Sequence, residues 1–349
     1  MSKRILGLKL REWPGQHQAA WQRACGEDDL GSAGGEGALW RPSTRRKTIK
    51  GWGYFLRWLS STGAEVDRAP GRLVHPKLVV AYITDLRTKK KADYTVLCRV
   101  QELYDACRVL DPDQNWNWLR DIRARVRRRP KPVRNKLARL RSARELEELG
   151  WSLIRAAEND SSTPLQRATS FRDGLCVVLL VRRLLRLRNL AGLTLGHFTH
   201  DGSVMGLQFP GAEMKSKRDR HFALPDDLAE AVTLYLSRHR PVLLSVDSRK
   251  VPMPTNRIWI SRQGEPMNEV PLHYRIRKRT KDAFGAEIPP HWFRDAGATA
   301  IAVDSPGNVR DVATVLGNND AVAEKHYNQA RAIQSARKYQ NVLESLFSV

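Results

Sequence analysis

Acidic residues, cysteines and long apolar stretches are all scarce in this chain, and each scarcity closes off a class of function. Aspartate and glutamate number 37 against 60 lysines and arginines, for a formal net charge of +23. The carboxylates do not gather around any one motif, which argues against a metal-dependent nuclease site. The cysteines Cys25, Cys98, Cys107 and Cys176 form no CxxC pair and have no histidines at zinc-ligand spacing. They read as reduced thiols, not as a disulfide framework or a metal site. The longest apolar run, Leu175 to Leu185, is interrupted by Arg182 and Arg183 and is too short to span a bilayer. The N-terminal MSKRILGLKLREW has no apolar signal core. The expectation is a soluble intracellular protein, cytoplasmic and nucleoid-associated, with no membrane partner, no metal and no cofactor.

What the chain has in excess is clustered positive charge, and a protein this basic is adapted to a polyanion, nucleic acid first of all. At 349 residues it is long enough for two domains. Residues 1–39 form an N-terminal extension, with Trp13 and Trp21 marking a short docking helix and Gly31 to Gly37 a flexible linker. Residues 40–128 read as four helices. The first is capped by Ser43, carries Ile49, Trp52, Phe55, Leu56 and Leu59, and stops at Gly63. A second starts at Pro76, a third runs from about Ala92 to Leu110, and a fourth surrounds Trp116 and Leu119. Arg45, Arg46, Lys47 and Lys50 open the first helix, and Lys89 and Lys90 lie between the second and third, where they could line a DNA-facing side. Residues 129–141 form a basic linker broken by Pro130 and Pro132. With the residues just before it, this segment offers Arg127, Arg128, Arg129, Lys131 and Arg134 to phosphates.

The second domain, 142–349, opens with a capping box at Ser142 and Glu145. A helix capped by Thr163 and Pro164 continues to Leu185. A small β element follows, Val204 to Phe209 and His221 to Leu224, and then a helix from Pro225 to about Arg240. Arg257 to Ser261 (RIWIS) reads as a further strand and Pro271 to Phe284 as a helix. A last helix runs from Ala330 to Phe347. The whole is mainly α with a small antiparallel sheet, an α+β pattern.

The stretch His291 to Tyr327 carries the chemistry. His291 and Arg294, at i and i+3 of a helix begun by Pro289 and Pro290, project from one face. A second helix, Asn308 to Leu316, ends at Gly317, and a third carries Tyr327. An arginine fork grips phosphate oxygens, an imidazole adds a donor, and a phenol can form a covalent phosphoester.

With Arg186 and Lys215 added, the order Arg186, Lys215, His291, Arg294, Tyr327 resembles the tyrosine recombinase (phage integrase) family. Arg186-Leu-Arg-Asn-Leu190 resembles the family's R-x-x-E/D-L. Lys215 followed by Arg220 and Leu224-Pro225 resembles its K-x(4)-R-x-x-P-L-P. His291-x-x-Arg294 matches H-x-x-R, and Leu316-Gly317 followed by Tyr327 matches its L-G-H…Y ending. Two positions depart from the pattern: Asn189 stands where an acidic residue is usual, and Asn318 where histidine or tryptophan is. The resemblance implies an N-terminal SAM-like core-binding domain and an integrase catalytic domain. It further implies a site-specific recombinase that works on double-stranded DNA as a homo-tetramer, with or without partner recombinases. Arg186, Lys215, His291, Arg294, Asn318 and Tyr327 would be catalytic, with Tyr327 as nucleophile forming a 3′-phosphotyrosine without metal or ATP. Lys217 and Arg220, in the hairpin of Lys215, would contact DNA. Rival readings are a catalytically attenuated DNA-binding relative and a type IB topoisomerase-like relaxase.

Overall fold

The computed structural model describes residues 7–27, 34–128, 141–159, 161–202, 204–214, 217–246 and 255–304, together with Tyr339, Val342, Glu344 and Ser345. Lys215, Asn318, Tyr327, Arg129, Lys131 and Arg134 lie outside these residues, as do the linker centre and the helices expected between Asp304 and Tyr339. The chain divides into two compact units, Met1–Asn135 and Lys136–Val349.

In the first unit, helices α1 (Gly15–Cys25), α2 (Pro42–Ser61), α3 (Pro70–Leu73), α4 (Pro76–Thr88), α5 (Asp93–Leu110) and α6 (Asn117–Arg127) follow one another. α2 buries Trp52, Phe55, Leu56 and Leu59, the i, i+3, i+4, i+7 stripe of an amphipathic helix. Its cap differs from expectation. Arg41 is the N-cap and Pro42 takes the first turn, where a missing N–H costs nothing, so Ser43 already lies inside the helix. At the other end Gly63 adopts φ +76°, the left-handed conformation that terminates helices. Residues of the N-terminal extension are part of this core: Trp13 and Trp21 are buried and meet edge to face with ring centroids 6.1 Å apart, and Trp13 lies 6.5 Å from Trp52. Gly35 and Gly37, within the stretch read as a linker, pack on the backbone of Ala24, and Glu36–Leu39 forms a 3₁₀ turn.

The second unit is built around α8 (Pro164–Arg182), which is buried on all sides from Phe171 to Val181 and so shows no single apolar face. The expected Thr163 cap is present as a capping box with Gln166, and the Ser142–Glu145 box opens α7 (Ala143–Asn159). α7 and α8 cross at glycines: a Cβ on Gly174 would lie 2.6 Å from the Gly150 carbonyl oxygen, and one on Gly150 would lie 2.6 Å from Val178 Cγ2. α9 (Leu187–Gly192) leads into a sheet of order β1 (Phe198–Asp201), β2 (Val204–Phe209), β3 (Arg220–Ala223), antiparallel throughout. β1 is an addition to the two expected strands. α10 (Asp226–Leu234) passes through a turn of π-helix at Tyr235–His239 into α11 (Arg240–Leu244), so the helix outruns its expected end; the wide turn comes directly before Pro241, which has no N–H to give. α12 (Glu269–Phe284) and α13 (Pro290–Asp304) complete the described helices.

The RIWIS strand is not formed. Arg257 and Ile260 make only isolated bridges, to Thr194 and Pro266. Side chains hold this buried segment instead: Tyr235 Oη donates to the Ile258 carbonyl at 3.0 Å, Arg240 Nε to the Arg257 carbonyl at 3.0 Å, and Trp259 Nε1 to the Leu190 carbonyl at 2.6 Å. The molecule is mainly helical with one small antiparallel sheet, as the sequence pattern implied. Among the described residues no helix is long and apolar enough to cross a membrane.

Candidate active site

α8 ends at Arg182, earlier than its apolar run, because the chain turns through Leu184 at φ +47°. A leucine in the left-handed region costs on the order of 1 kcal/mol, and its surroundings show what holds it there. The Leu184 side chain is buried against Ala298 and partly buried Ile301 of α13. It fits because Gly297 has no Cβ, which would lie 2.3 Å from Leu184 Cδ2. The Leu184 carbonyl in turn accepts a hydrogen bond from Arg294 Nη1. One turn thus ends α8, seats α13, and sets Arg186 at the N-cap of α9 close to Arg294. Arg186 therefore begins a short helix.

A third guanidinium joins these two. Arg220 opens β3 opposite Phe209 of β2. The connection between those strands is tied down at both sides: Asn189 Nδ2 of α9 donates to Met214 Sδ at 3.2 Å, and Gly211 N donates to Asp219 Oδ1 at 2.6 Å. Burial, then the nearby Arg186 and then Arg220, push the Arg294 guanidinium down to about 10, with Asp295 opposing. Arg186 is lowered by burial and then by Arg220, and Arg220 by burial. Neighbouring guanidiniums thus act on Arg294 and Arg186 beyond burial, and such a gathering of cations can receive an anion. His291 lies one turn before Arg294 on α13, exposed, with its ring edge to face on Trp292 at 6.1 Å.

The structure thus brings together Arg186, Arg294 and Arg220, with His291 on the same helix as Arg294. From sequence, Arg220 is expected as a DNA contact in the hairpin pattern of Lys215, and the structure sets it at the start of β3 near Arg294. Lys217 is exposed in the β2–β3 connection at φ +55°. Asn189 is buried, and its amide is directed to Met214.

In the first unit, Arg46, Lys47 and Lys50 are exposed on the opening turns of α2, with Lys50 Nζ 5.9 Å from the Tyr54 ring. Arg45 instead gives its guanidinium to the carbonyls of Gly37 and Ala38. Lys89 pairs with Asp85 at 2.7 Å, Lys90 is exposed at φ +52°, and Arg127 and Arg128 are exposed at the end of α6. Among the described residues no group of histidines, cysteines and carboxylates is arranged to hold a metal ion, and all four cysteines are free thiols.

The sequence matches the model of the Phage integrase family over residues 152–333, a little over half of the chain and a span that contains Arg186, Lys215, His291, Arg294, Asn318 and Tyr327. No curated protein sequence matches it. Among solved structures, the XerH site-specific recombinase bound to a palindromic difH substrate in a post-cleavage complex is 12% identical, with TM-score 0.55, over 85% of this chain and 79% of that one. The Tn1549 transposon integrase in complex with transposon right end DNA is 17% identical, with TM-score 0.54, over 86% of this chain and 95% of that one. The same integrase with circular intermediate DNA is 15% identical, with TM-score 0.50, over 85% and 94%. At these identities the likeness establishes a shared fold.

Proposed function

The chain belongs to the phage integrase family and is a site-specific recombinase, an enzyme that breaks and rejoins DNA strands, and from that premise we propose that Tyr327 is its nucleophile and that Arg186, Arg220 and Arg294 receive the scissile phosphate. The support is that Arg294, bonded to the Leu184 carbonyl, lies near enough to Arg186 and Arg220 for both charges to act on it. Arg186 and Arg294 hold the non-bridging oxygens and stabilise the charge that builds on them. The Tyr327 oxygen bonds to phosphorus while the bond from phosphorus to the 5′-oxygen breaks. The phenolic proton goes to His291, and Lys215 supplies a proton to the departing 5′-oxygen. Asn318 adds a neutral hydrogen bond where the family pattern has a histidine or tryptophan. The 3′-phosphotyrosine conserves the phosphodiester energy, so attack by a 5′-hydroxyl rejoins the strand without ATP.

The partner is double-stranded DNA. Residues 40–128 act as a core-binding domain through Arg46, Lys47, Lys50 and Lys90, and Arg127 to Arg134 lie along the backbone. Recombination requires cuts on two duplexes, which a tetramer on paired sites supplies, with the last helix, expected from Ala330 to Phe347, packing its apolar stripe into a neighbouring protomer; deletion of residues 331–349 should then uncouple recombination from DNA binding.

The experiment is a nicked duplex carrying the element's end sequence, incubated with the protein and resolved on a denaturing gel. A protein–DNA adduct that disappears in Tyr327→Phe supports the assignment, and an undiminished adduct in that variant moves the nucleophile elsewhere. A second reading, an attenuated relative, is favoured by Asn189: its amide is bonded to Met214, and it supplies no negative charge to the arginines. A retarded complex on a native gel without an adduct on the denaturing one would select it.

A further inference from the structure

Away from the three-arginine site, the C-terminal end of α7, the first half of α8, the turn at Ser261–Gly264 and α12 enclose a cavity of about 500 Å³. Five arginines line it, Arg167, Arg172, Arg262, Arg275 and Arg279, and no aspartate or glutamate does among the described residues. Its floor is an ion-pair network with an imbalance of charge. Asp173 accepts from Arg172 Nη2 at 2.6 Å, Arg275 Nε at 3.0 Å and Arg279 Nε at 2.8 Å, so one carboxylate answers three guanidiniums. Arg172 is fully used, since its Nη1 also donates to the Ile260 carbonyl at 2.6 Å. Arg275 and Arg279 are not closed off in this way: their side chains are 25% and 22% exposed and they line the cavity. Tyr274, next to Arg275 on α12, is 64% exposed and lines the same space.

We propose that this cavity binds a nucleotide, with the phosphate held by Arg262, Arg275 and Arg279 and the base stacked on Tyr274. The volume falls in the range of small-molecule sites. Planar guanidinium forks match phosphate oxygens, and an excess of cations over one carboxylate favours a multivalent anion over a single carboxylate. An exposed phenol ring beside a phosphate site offers a sequence-tolerant platform for a base. None of the arginines of the cleavage site lines the cavity, so it is a second anion site and does not depend on the role given to Tyr327.

The same chemistry has two sources, a free nucleotide or an unstacked nucleotide of a DNA strand, and titration separates them. Deoxyadenosine triphosphate and a short single-stranded oligodeoxynucleotide are each titrated by calorimetry into the full chain and into Arg262→Glu and Tyr274→Ala. Neither residue holds Asp173, so both variants keep the buried network. Saturable binding of the triphosphate, weakened about tenfold or more by each variant as the loss of a stacking platform or a phosphate contact requires, identifies a free nucleotide. A silent triphosphate with an oligonucleotide affinity that falls by a similar factor in both variants identifies a strand. Affinities that ignore both substitutions, for both ligands, overturn the proposal.

Discussion

At the scale of single residues, the site is a problem of three like charges held together by backbone geometry. Arg294 is half-buried and its guanidinium is pushed down to about 10 by burial and by Arg186 and Arg220. A phosphate removes that cost, so each arginine contributes more when charge builds on the phosphate oxygens than in DNA binding alone. Arg220→Ala should therefore lower the rate of adduct formation by roughly 10²-fold or more at saturating DNA, the loss typical of one such donor. The affinity for duplex should change much less. Single-turnover adduct formation beside fluorescence anisotropy checks both, and an equal loss in each would reduce Arg220 to an ordinary backbone contact. The motif spacing made Arg186 and Arg294 legible as partners. It could not reveal what brings them together, because that depends on Leu184 at φ +47° and on Gly297, two residues with no chemistry of their own. Arg220 was legible as the arginine of the Lys215 hairpin pattern, but not as a neighbour of Arg186 and Arg294, which come from segments far away in sequence.

At the scale of elements, the helices of both units were readable because apolar residues recur with the helical period and because caps such as Thr163 and Ser142 are local signals. RIWIS was misread for a physical reason. A short buried apolar run suits a central strand equally well, and only the structure shows that its carbonyls are taken by Tyr235, Arg240 and Trp259. Two contacts fix α8 in its place. The first is the glycine crossing with α7. Gly174→Ala improves helix propensity by about 1 kcal/mol, but its methyl would meet the Gly150 carbonyl at 2.6 Å. The variant should be net destabilised by about 1–3 kcal/mol, as overpacked sites are, and urea denaturation measures it. The second is the pairing of Asp173 on α8 with Arg275 and Arg279 on α12. Burial alone would raise the Asp173 carboxyl, but Arg172, Arg275 and Arg279 overcome it and hold it below the usual range. A carboxyl lowered in the folded state contributes stability that is present above its unfolded value, about 3.9, and is lost as pH falls through the lowered one. Asp173→Asn should thus cost about 3–5 kcal/mol near neutrality, as breaking a buried pair does. The gap between variant and parent should narrow below about pH 4, and thermal melts across that range decide it.

At the scale of the whole molecule, the net charge of +23 belongs to both units, and its distribution makes a quantitative statement about DNA. Arg45, one of the cations expected on DNA, instead holds the carbonyls of Gly37 and Ala38. Arg127 and Arg128, by contrast, are exposed at the end of α6, where the basic run continues in sequence toward Arg134. Each lysine or arginine that displaces a counterion from duplex DNA adds about −0.9 to the slope of log K against log salt. A residue engaged inside the protein adds nothing. Replacing Arg127 and Arg128 together by alanine should therefore make the slope shallower by about 2, while Arg45→Ala leaves it unchanged and acts, if at all, on stability. Anisotropy titrations of a labelled duplex at a series of salt concentrations give the slopes directly. A shallower slope in Arg45→Ala would mean that DNA draws its guanidinium away from the Gly37 and Ala38 carbonyls. An unchanged slope in the double variant would remove the end of α6 from the DNA path and leave the backbone contacts to α2 and to the second unit.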